Sequence, residues 1–138
     1  MKYLGLDLGS RTLGIATSDA TGLIASTYKT IRHNEEYDRL LTEVQQLVEE
    51  LKIDEIVLGF PKNMNNTIGP KGELSLEFKE KLEKLVTIPI HLQDERLTTK
   101  SATDMLIMGN VSRKDRKKVV DSVAATIILQ TFLDRKRN

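Results

Sequence analysis

The first third of the chain alternates between apolar residues and glycine or polar residues with the period of two that is typical of β-strands. A first strand is predicted over Tyr3–Gly9, with leucines on one face and Asp7, between two glycines, on the other. Further strands are predicted over Leu13–Asp19 and Leu23–Ile31, and short turn-forming segments separate all three. This part of the pattern therefore predicts an antiparallel three-stranded meander.

The apolar positions then change to a spacing of about 3.6 residues, which predicts an amphipathic helix over Leu40–Leu51. The next predicted strand, Glu55–Phe60, contains a continuous apolar run that is typical of a strand covered on both faces. A loop is predicted over Pro61–Gly72, and a second helix over Leu74–Leu85. Helix and strand thus alternate after the meander.

The rest of the chain continues this alternation. A short strand is predicted over Ile88–Leu92, and its Pro89 favours a position at the edge of the sheet. A helix over Leu97–Met108 is followed by the longest helix, which begins with a capping pattern at Ser112 and continues to Phe132. The predicted fold class is α/β, with a mixed five-stranded sheet, three strands antiparallel and two parallel, and helices packed on it.

Length and composition set limits on the function. With 138 residues, the chain is expected to form one domain spanning residues 1–138. Cysteine is absent, which excludes disulfide scaffolds, thiolate nucleophiles and zinc fingers and fits a cytoplasmic protein. No apolar run approaches the roughly 20 residues of a transmembrane helix, so no membrane association is expected. The formal net charge is only +1, so binding to nucleic acid would need a local basic patch.

Three acidic positions stand out against this background. Asp7 lies in the middle of a predicted strand, where aspartate is disfavoured, and Asp121 lies on the apolar face of the last helix. The pair Asp94-Glu95 follows the fifth strand, at the carboxyl edge where open parallel sheets bind ligands. Each position also has an ordinary interpretation: an exposed sheet face, a surface ion pair with Lys117 or Lys118, and a polar loop, respectively.

Carboxylates that converge from separate elements would form a hard oxygen site suited to Mg²⁺ or Mn²⁺. Two such ions about 4 Å apart can activate water and stabilise the leaving oxygen in phosphodiester hydrolysis. The two histidines do not compete with this interpretation, because His33 and His91 lie in unrelated segments. His33 is expected at the surface after the third strand, and His91 within the fifth strand.

A basic run opens the last helix, where the helix dipole favours acidic residues instead. Its cations are Arg113, Lys114, Arg116, Lys117 and Lys118. This unfavourable placement predicts a phosphate-binding role, with a solvated helix face as the alternative. The cations over Arg135–Arg137 lie at the opposite end, which suits the dipole, so no function is assigned to them.

Four ordered motifs give the chain a resemblance to a known family. They are GLDLGSRTLGIATSD, IVLGFPKNMNNTIGP, DERLTT and SRKDRKKVVDSVAATIILQ. Over essentially its whole length, the chain resembles the YqgF/RuvX family, a bacterial Holliday-junction-resolvase-like group with a ribonuclease-H-like fold. The resemblance implies a nuclease that acts in ribosome biogenesis, in maturation of the 5′ side of pre-16S rRNA.

The resemblance also implies roles for individual residues. Asp7, Glu95 and Asp121 correspond to the acids that hold one or two divalent ions, Mg²⁺ or Mn²⁺. Arg96, Thr98 and Asn63 match positions that look like substrate contacts. Many ribonuclease-H-like nucleases have an acid at the end of the fourth strand, where this chain has Gly59-Phe60-Pro61, so the equivalent role passes to Glu95.

Several alternatives remain open from the sequence. The substrate could be branched DNA in place of structured RNA, which would make the protein a Holliday junction resolvase. The protein could also be a non-catalytic RNA-binding factor in ribosome assembly. The segment GLDLGS further resembles the first phosphate loop of sugar kinases and actin-like ATPases, although those folds generally need two domains. A homodimer is expected, because one small domain grips little of a structured substrate.

Overall fold

The computed structural model of the protein describes residues 1–61, 68–94 and 113–137, and only the backbone for residues 113–122 and 137. The described residues form five strands and three helices. In chain order these are β1 (Tyr3–Leu8), β2 (Thr12–Ser18), β3 (Ala25–Arg32), α1 (Tyr37–Glu50), β4 (Glu55–Phe60), α2 (Pro70–Glu83), β5 (Ile90–Asp94) and α3 (Arg113–Arg137).

The five strands form one mixed sheet in the order β3-β2-β1-β4-β5. β1 pairs with β2, and β2 with β3, in antiparallel fashion, whereas β4 pairs parallel with both β1 and β5. The predicted meander and the two parallel strands are confirmed. β5 lies at the edge of this sheet and begins directly after Pro89, as expected from the proline.

Several boundaries differ from the sequence-based expectation: α1 begins at Tyr37, β5 runs over Ile90–Asp94, and two further differences have a clear physical cause. β3 begins at Ala25, not at Leu23, because the backbone N–H groups of Leu23 and Ile24 donate to Oδ1 of Asp19, at 2.9 and 3.0 Å. These hydrogen bonds hold residues 19–24 in a turn. Strand pairing therefore starts only after the turn ends.

The second difference concerns the predicted loop over Pro61–Gly72, which was wrong at its end. α2 already begins at Pro70, with Gly69 as its N-cap residue, so Gly72 is helical. Proline suits the first helical position because its missing N–H group would have no partner there. The helix predicted over Leu97–Met108 and the cap at Ser112 lie outside the described residues.

The sheet separates two apolar clusters. α1 and α2 cover one face and bury the larger cluster, which includes the leucines of β1. α3 covers the other face with a smaller cluster that includes Tyr3, Val57 and Leu129. All residues of β4 are buried, as expected for a strand covered on both faces. Among the described helices, none is long and apolar enough to cross a membrane.

α3 runs antiparallel to β1. Its backbone passes Gly5 at Ala125 and Leu129, and its later residue Phe132 packs against Tyr3 with 6.0 Å between ring centroids. On the β3 side, Gln130 accepts a hydrogen bond from the backbone N–H of Ala25 at 2.8 Å. The direction of α3 decides which of its positions lies near each part of β1.

A buried carboxylate fastens the C-terminal end of α3 to the sheet. Glu55 on β4 is only 8% exposed, and its Oε1 lies 2.8 Å from Nε2 of His91 on β5. Its Oε2 lies 3.4 Å from Nζ of Lys136, which also donates to the hydroxyl of Tyr3. Burial raises the pKa of Glu55, but the hydrogen bonds from His91 and Tyr3 and the charge of Lys136 outweigh it, so the pKa lies below its ordinary value.

We expect Glu55→Gln to lower the free energy of unfolding by about 1–3 kcal/mol at pH 7, because charge-assisted hydrogen bonds are lost. Because the pKa of Glu55 is lower in the folded state than in the unfolded state, its carboxylate stabilises the protein at pH values above the unfolded-state pKa. This stabilisation is lost as the pH falls through the folded-state pKa. The loss should therefore shrink below about pH 4. Urea denaturation at pH 7 and below pH 4 measures this, with the exposed Glu80→Gln as control; an equal loss at both pH values would contradict it.

Candidate active site at the carboxyl ends of the strands

Asp7 lies near the carboxyl end of β1, on the face that α3 covers. The alternation of β1 places Leu4, Leu6 and Leu8 in the larger core and leaves Asp7 on the opposite face, where it is partly buried. The interpretation of Asp7 as a carboxylate on an exposed sheet face was therefore wrong, because a helix packs on that face. Asp7 is instead partly buried on the face that α3 covers.

Glycines surround Asp7 within the sheet. Gly5 and Gly9 precede and follow it on the same face, and Gly14 is its direct partner on β2. On the other side, the parallel register pairs Leu6 with Leu58, so its continuation places Gly59 of β4 beside Asp7. Neighbours without side chains leave lateral space around the carboxylate. The contribution of Gly14 and Gly59 was not anticipated, because it depends on strand register.

α3 comes unusually close to β1 just before Asp7. A Cβ atom built on Gly5 would lie 2.8 Å from Cβ of Leu129 and 3.2 Å from the carbonyl oxygen of Ala125. Asp7 is two strand residues beyond Gly5, or about 7 Å, and position 121 is one helical turn before Ala125, or about 6 Å. Because α3 is antiparallel to β1, the backbone places positions 7 and 121 at the same level.

The end of β5 reaches the same edge of the sheet. Gln93 pairs with Gly59, and Asp94 with Phe60, so the last residues of β5 are level with Asp7 across two strand spacings, or about 10 Å. Glu95, the second predicted acid, directly follows Asp94. The structure thus brings three chain positions to one edge: Asp7, the backbone at 121 and the residue before Glu95.

The other predicted site residues fall outside the described residues or have only their backbone described. Outside the described residues are Asn63, Glu95, Arg96 and Thr98. Of Asp121, Arg113, Lys114, Arg116 and Lys117 only the backbone is described, within α3. Among the side chains that the structure describes, no group of three acids or histidines forms a potential metal site.

A buried histidine fixes the turn that follows Asp7. His33 is 7% exposed, which corrects the expectation of a surface residue. Its Nε2 lies 2.9 Å from the carbonyl oxygen of Gly9, and its Nδ1 accepts the backbone N–H of Glu35 at 3.0 Å. An acceptor at Nδ1 leaves the proton on Nε2, which then donates to Gly9. His33 therefore joins the β1–β2 turn to the start of α1.

We expect His33→Phe to destabilise the protein by about 2 kcal/mol, because the ring can still pack against Tyr37 while the partners of both nitrogens are left unpaired. Thermal or urea denaturation measures the effect. The control is Asn34→Ala, which removes only the exposed hydrogen bond from Arg11 to Asn34 and should cost much less. If the two variants were equally stable, the bridging role of His33 would be ruled out.

Comparison with solved structures supports the fold of the protein. The structure of Thermus thermophilus RuvC in complex with a Holliday junction substrate matches with a TM-score of 0.63 at 14% identity, covering 100% of this chain and 97% of that one. A fowlpox virus resolvase in complex with Holliday junction DNA matches with a TM-score of 0.64 at 11% identity, covering 100% of both. The protein has the ribonuclease-H-like fold of these resolvases.

Sequence comparison then gives the family. Residues 1–135 match the family model described as "RuvX: Holliday junction resolvase", and the chain belongs to this family. A Bacillus subtilis protein is 53% identical over 135 residues, or 97% of this chain and 98% of its own length. A Geobacillus protein is 48% identical over 138 residues, or 99% of this chain and 100% of its own length. Both relatives carry the name "Putative pre-16S rRNA nuclease".

Proposed function

We propose that this protein is a metal-dependent nuclease that hydrolyses phosphodiester bonds of pre-16S rRNA during processing of its 5′ end. The observation that carries the chemistry is the position of Asp7, at the carboxyl edge of a resolvase-type sheet and level with position 121 of α3. The substrate is inferred from the relatives named as pre-16S rRNA nucleases.

The catalytic carboxylates in this proposal are Asp7, Glu95 and Asp121. Their hard oxygen atoms fit Mg²⁺ or Mn²⁺, in a chain without cysteine, and the glycines around Asp7 leave space beside its carboxylate. One or two such ions would supply Lewis acidity and an activated water when bound. The protein's own contribution would be to hold three carboxylates at one sheet edge, where they would bind the ions that balance the charge of the scissile phosphate.

Phosphate binding is assigned to the first turns of α3. The residues proposed are Arg113, Lys114, Arg116 and Lys117, with Arg96, Thr98 and Asn63 as further substrate contacts. Position 113 is eight residues before position 121, so the basic run lies within about 12 Å of the catalytic acid along the helix axis. Cations at this distance can hold the phosphates that flank the cleaved bond.

RNA is favoured over junction DNA by the degree of similarity. The relatives named for pre-16S rRNA are 48–53% identical over nearly their full length, whereas the junction resolvases share only the fold, at 11–14% identity. Activity on ribosomal RNA would place the protein in the cytoplasm. We also infer a homodimer, because a structured RNA exceeds the surface of one such chain.

A cleavage assay tests this function. Purified protein is incubated with a 5′-extended 16S rRNA precursor and with a four-way DNA junction, each with Mg²⁺, with Mn²⁺ or with EDTA. We expect metal-dependent cleavage of the RNA and little or none of the junction. Faster cleavage of the junction would favour the resolvase alternative. RNA binding without cleavage under every metal condition would favour a non-catalytic assembly factor.

A further inference from the structure

A groove between β5 and the C-terminal end of α3 has no role in the proposed site. Its volume is about 400 Å³, and it is open to solvent. The residues that line it are His91, Leu92, Gln93, Phe132, Arg135 and Lys136. The set combines aromatic rings with cations at one edge of the sheet, which is unusual in a chain with only 4% aromatic residues.

The groove begins beside the candidate active site. Gln93 on β5 pairs with Gly59 on β4, and the register between β1 and β4 places Gly59 beside Asp7. The end of the groove at Gln93 therefore lies level with Asp7, two strand spacings or about 10 Å away. From there the groove follows β5 back past His91 toward the end of α3. A polymer chain bound at the active site could therefore continue into the groove without a sharp turn.

Two aromatic rings, called the shelf below, pack against each other in the groove. His91 and Phe132 lie with their centroids 5.0 Å apart and their planes 30° from parallel, and Phe132 is only partly buried. A nucleobase can stack on such a surface if it is unpaired, because a paired base is enclosed in its own duplex. The shelf thus favours a single strand over a double helix.

The groove contains two cations, Lys136, which is held in place by hydrogen bonds, and Arg135, which is exposed. The ammonium group of Lys136 is held by the hydroxyl of Tyr3 and by Oε2 of Glu55, which lies 3.4 Å away. The hydrogen bond to Tyr3, together with the charge of Glu55, raises the pKa of Lys136, so its charge is retained. Half of its side chain stays exposed, at 49%, and Arg135 beside it is exposed. Phosphates that enter the groove would meet Arg135 and the exposed part of Lys136, whose charge is shared with Glu55.

We propose that this groove binds a single-stranded RNA segment that continues from the cleavage site, with bases stacked on Phe132 and His91 and phosphates at Arg135 and Lys136. The proposal rests on the nuclease function proposed above. It assigns a function to Arg135 and Lys136, whose position at the end of the helix was explained from the sequence by the helix dipole alone. It also identifies the preferred substrate as a structured RNA with an unpaired flank.

Binding can be tested without cleavage in the Asp7→Asn background. The probes are an RNA hairpin and the same hairpin with a single-stranded flank of about six uridines, added at either end. Fluorescence anisotropy measures the affinity ratio between flanked and blunt RNA. With the groove unmodified, we expect the protein to bind one of the two flanked hairpins, with the flank at the 5′ or the 3′ end, at least about fivefold more tightly than the blunt hairpin.

Variants of the groove should lower that ratio. Arg135→Gln should reduce it about threefold and flatten the salt dependence for the flanked RNA by about 0.7 in logarithmic slope, whereas Arg135→Lys should retain most of it. Phe132→Leu keeps an apolar side chain at the helix–sheet contact but removes the stacking surface. The matched control is Lys52→Gln with Lys84→Gln, two exposed cations away from the groove, which should leave the ratio unchanged.

The outcomes separate this proposal from the nuclease function. An affinity ratio of one between flanked and blunt RNA, with the groove unmodified, would contradict RNA binding in the groove even if the precursor is cleaved. An equal loss of that ratio in the groove variants and in the control would contradict it as well. A flank-dependent gain that the groove variants abolish would support it even if no cleavage is found. A gain that survives both Arg135→Gln and Phe132→Leu would place the flank elsewhere on the protein and contradict the proposal.

Discussion

Asp7→Asn should abolish cleavage of the rRNA precursor, lowering the rate by more than about 100-fold, while RNA binding stays within a few-fold of the original. Asparagine has nearly the same shape as aspartate and fits the same space among the glycines of β1, β2 and β4. It lacks the negative charge that a divalent ion requires. The measurements are single-turnover cleavage with saturating Mg²⁺ or Mn²⁺ and, separately, RNA binding.

The matched control is Asp38→Asn, which makes the same chemical change at an exposed position in the first turn of α1. This variant should cleave at the original rate. Circular dichroism and thermal denaturation verify that both variants are folded. Cleavage by Asp7→Asn at a rate close to that of Asp38→Asn would remove Asp7 from the mechanism, and with it the three-carboxylate site.

Gly5→Ala should disturb both the fold and the candidate site. The added methyl group would meet Cβ of Leu129 at 2.8 Å, and neither this atom nor the helix backbone behind it can rotate away. α3 must therefore move outward, at a cost of about 1–3 kcal/mol in the free energy of unfolding. Cleavage should also fall by up to about 100-fold, because a displacement near 1 Å would separate position 121 from Asp7.

Gly9→Ala provides the comparison for Gly5→Ala. Its added Cβ would lie 3.3 Å from the carbonyl oxygen of Thr12, a milder contact at the end of the same strand. Urea denaturation should therefore show a smaller loss for Gly9→Ala than for Gly5→Ala. Equal stability of Gly5→Ala and the unmodified protein would mean that α3 does not approach β1 as closely as described.

Residue patterns were sufficient to predict most of the sheet. The alternation around Asp7 gave the correct faces of β1, because one set of leucines had to be buried. The run within Glu55–Phe60 identified a strand covered on both sides, and Pro89 identified an edge. Each of these signals is local, since the periodicity or the missing N–H group lies within the element itself.

The deviations arise where distant groups decide the local structure. His33 is buried because its ring bonds the carbonyl oxygen of Gly9. That partner lies 24 residues away in the chain, and no periodicity of the sequence marks such a contact. The start of β3 depends on how the carboxylate of Asp19 bonds the turn after β2. The start of α2 differs from these two cases, because its signal is local: Gly69 and Pro70 favour the N-cap and first positions of a helix. The loop-like composition around them led to the wrong prediction.

The candidate site could be predicted only in part. Asp7 stood out because aspartate is rare inside a strand, and one of the two glycines beside it, Gly5, is where α3 approaches β1. Gly14 and Gly59 gain their meaning from register, which the sequence of one strand does not specify. The roles of Glu95 and Asp121 stay predictions, since their side chains lie outside the described part of the structure.

The contacts between α3 and the sheet also determine when during folding the protein could become active. Tyr3 and Lys136 are 133 residues apart in the chain, and Ala25 and Gln130 are 105 apart. Contacts of such high sequence separation form slowly, because a long loop must close before they contribute any stabilisation. The β1–β3 meander can form earlier from local pairing, but it presents Asp7 without α3. If the proposed site is correct, catalytic competence would therefore be a late event in folding, and a partly folded chain would not cleave RNA.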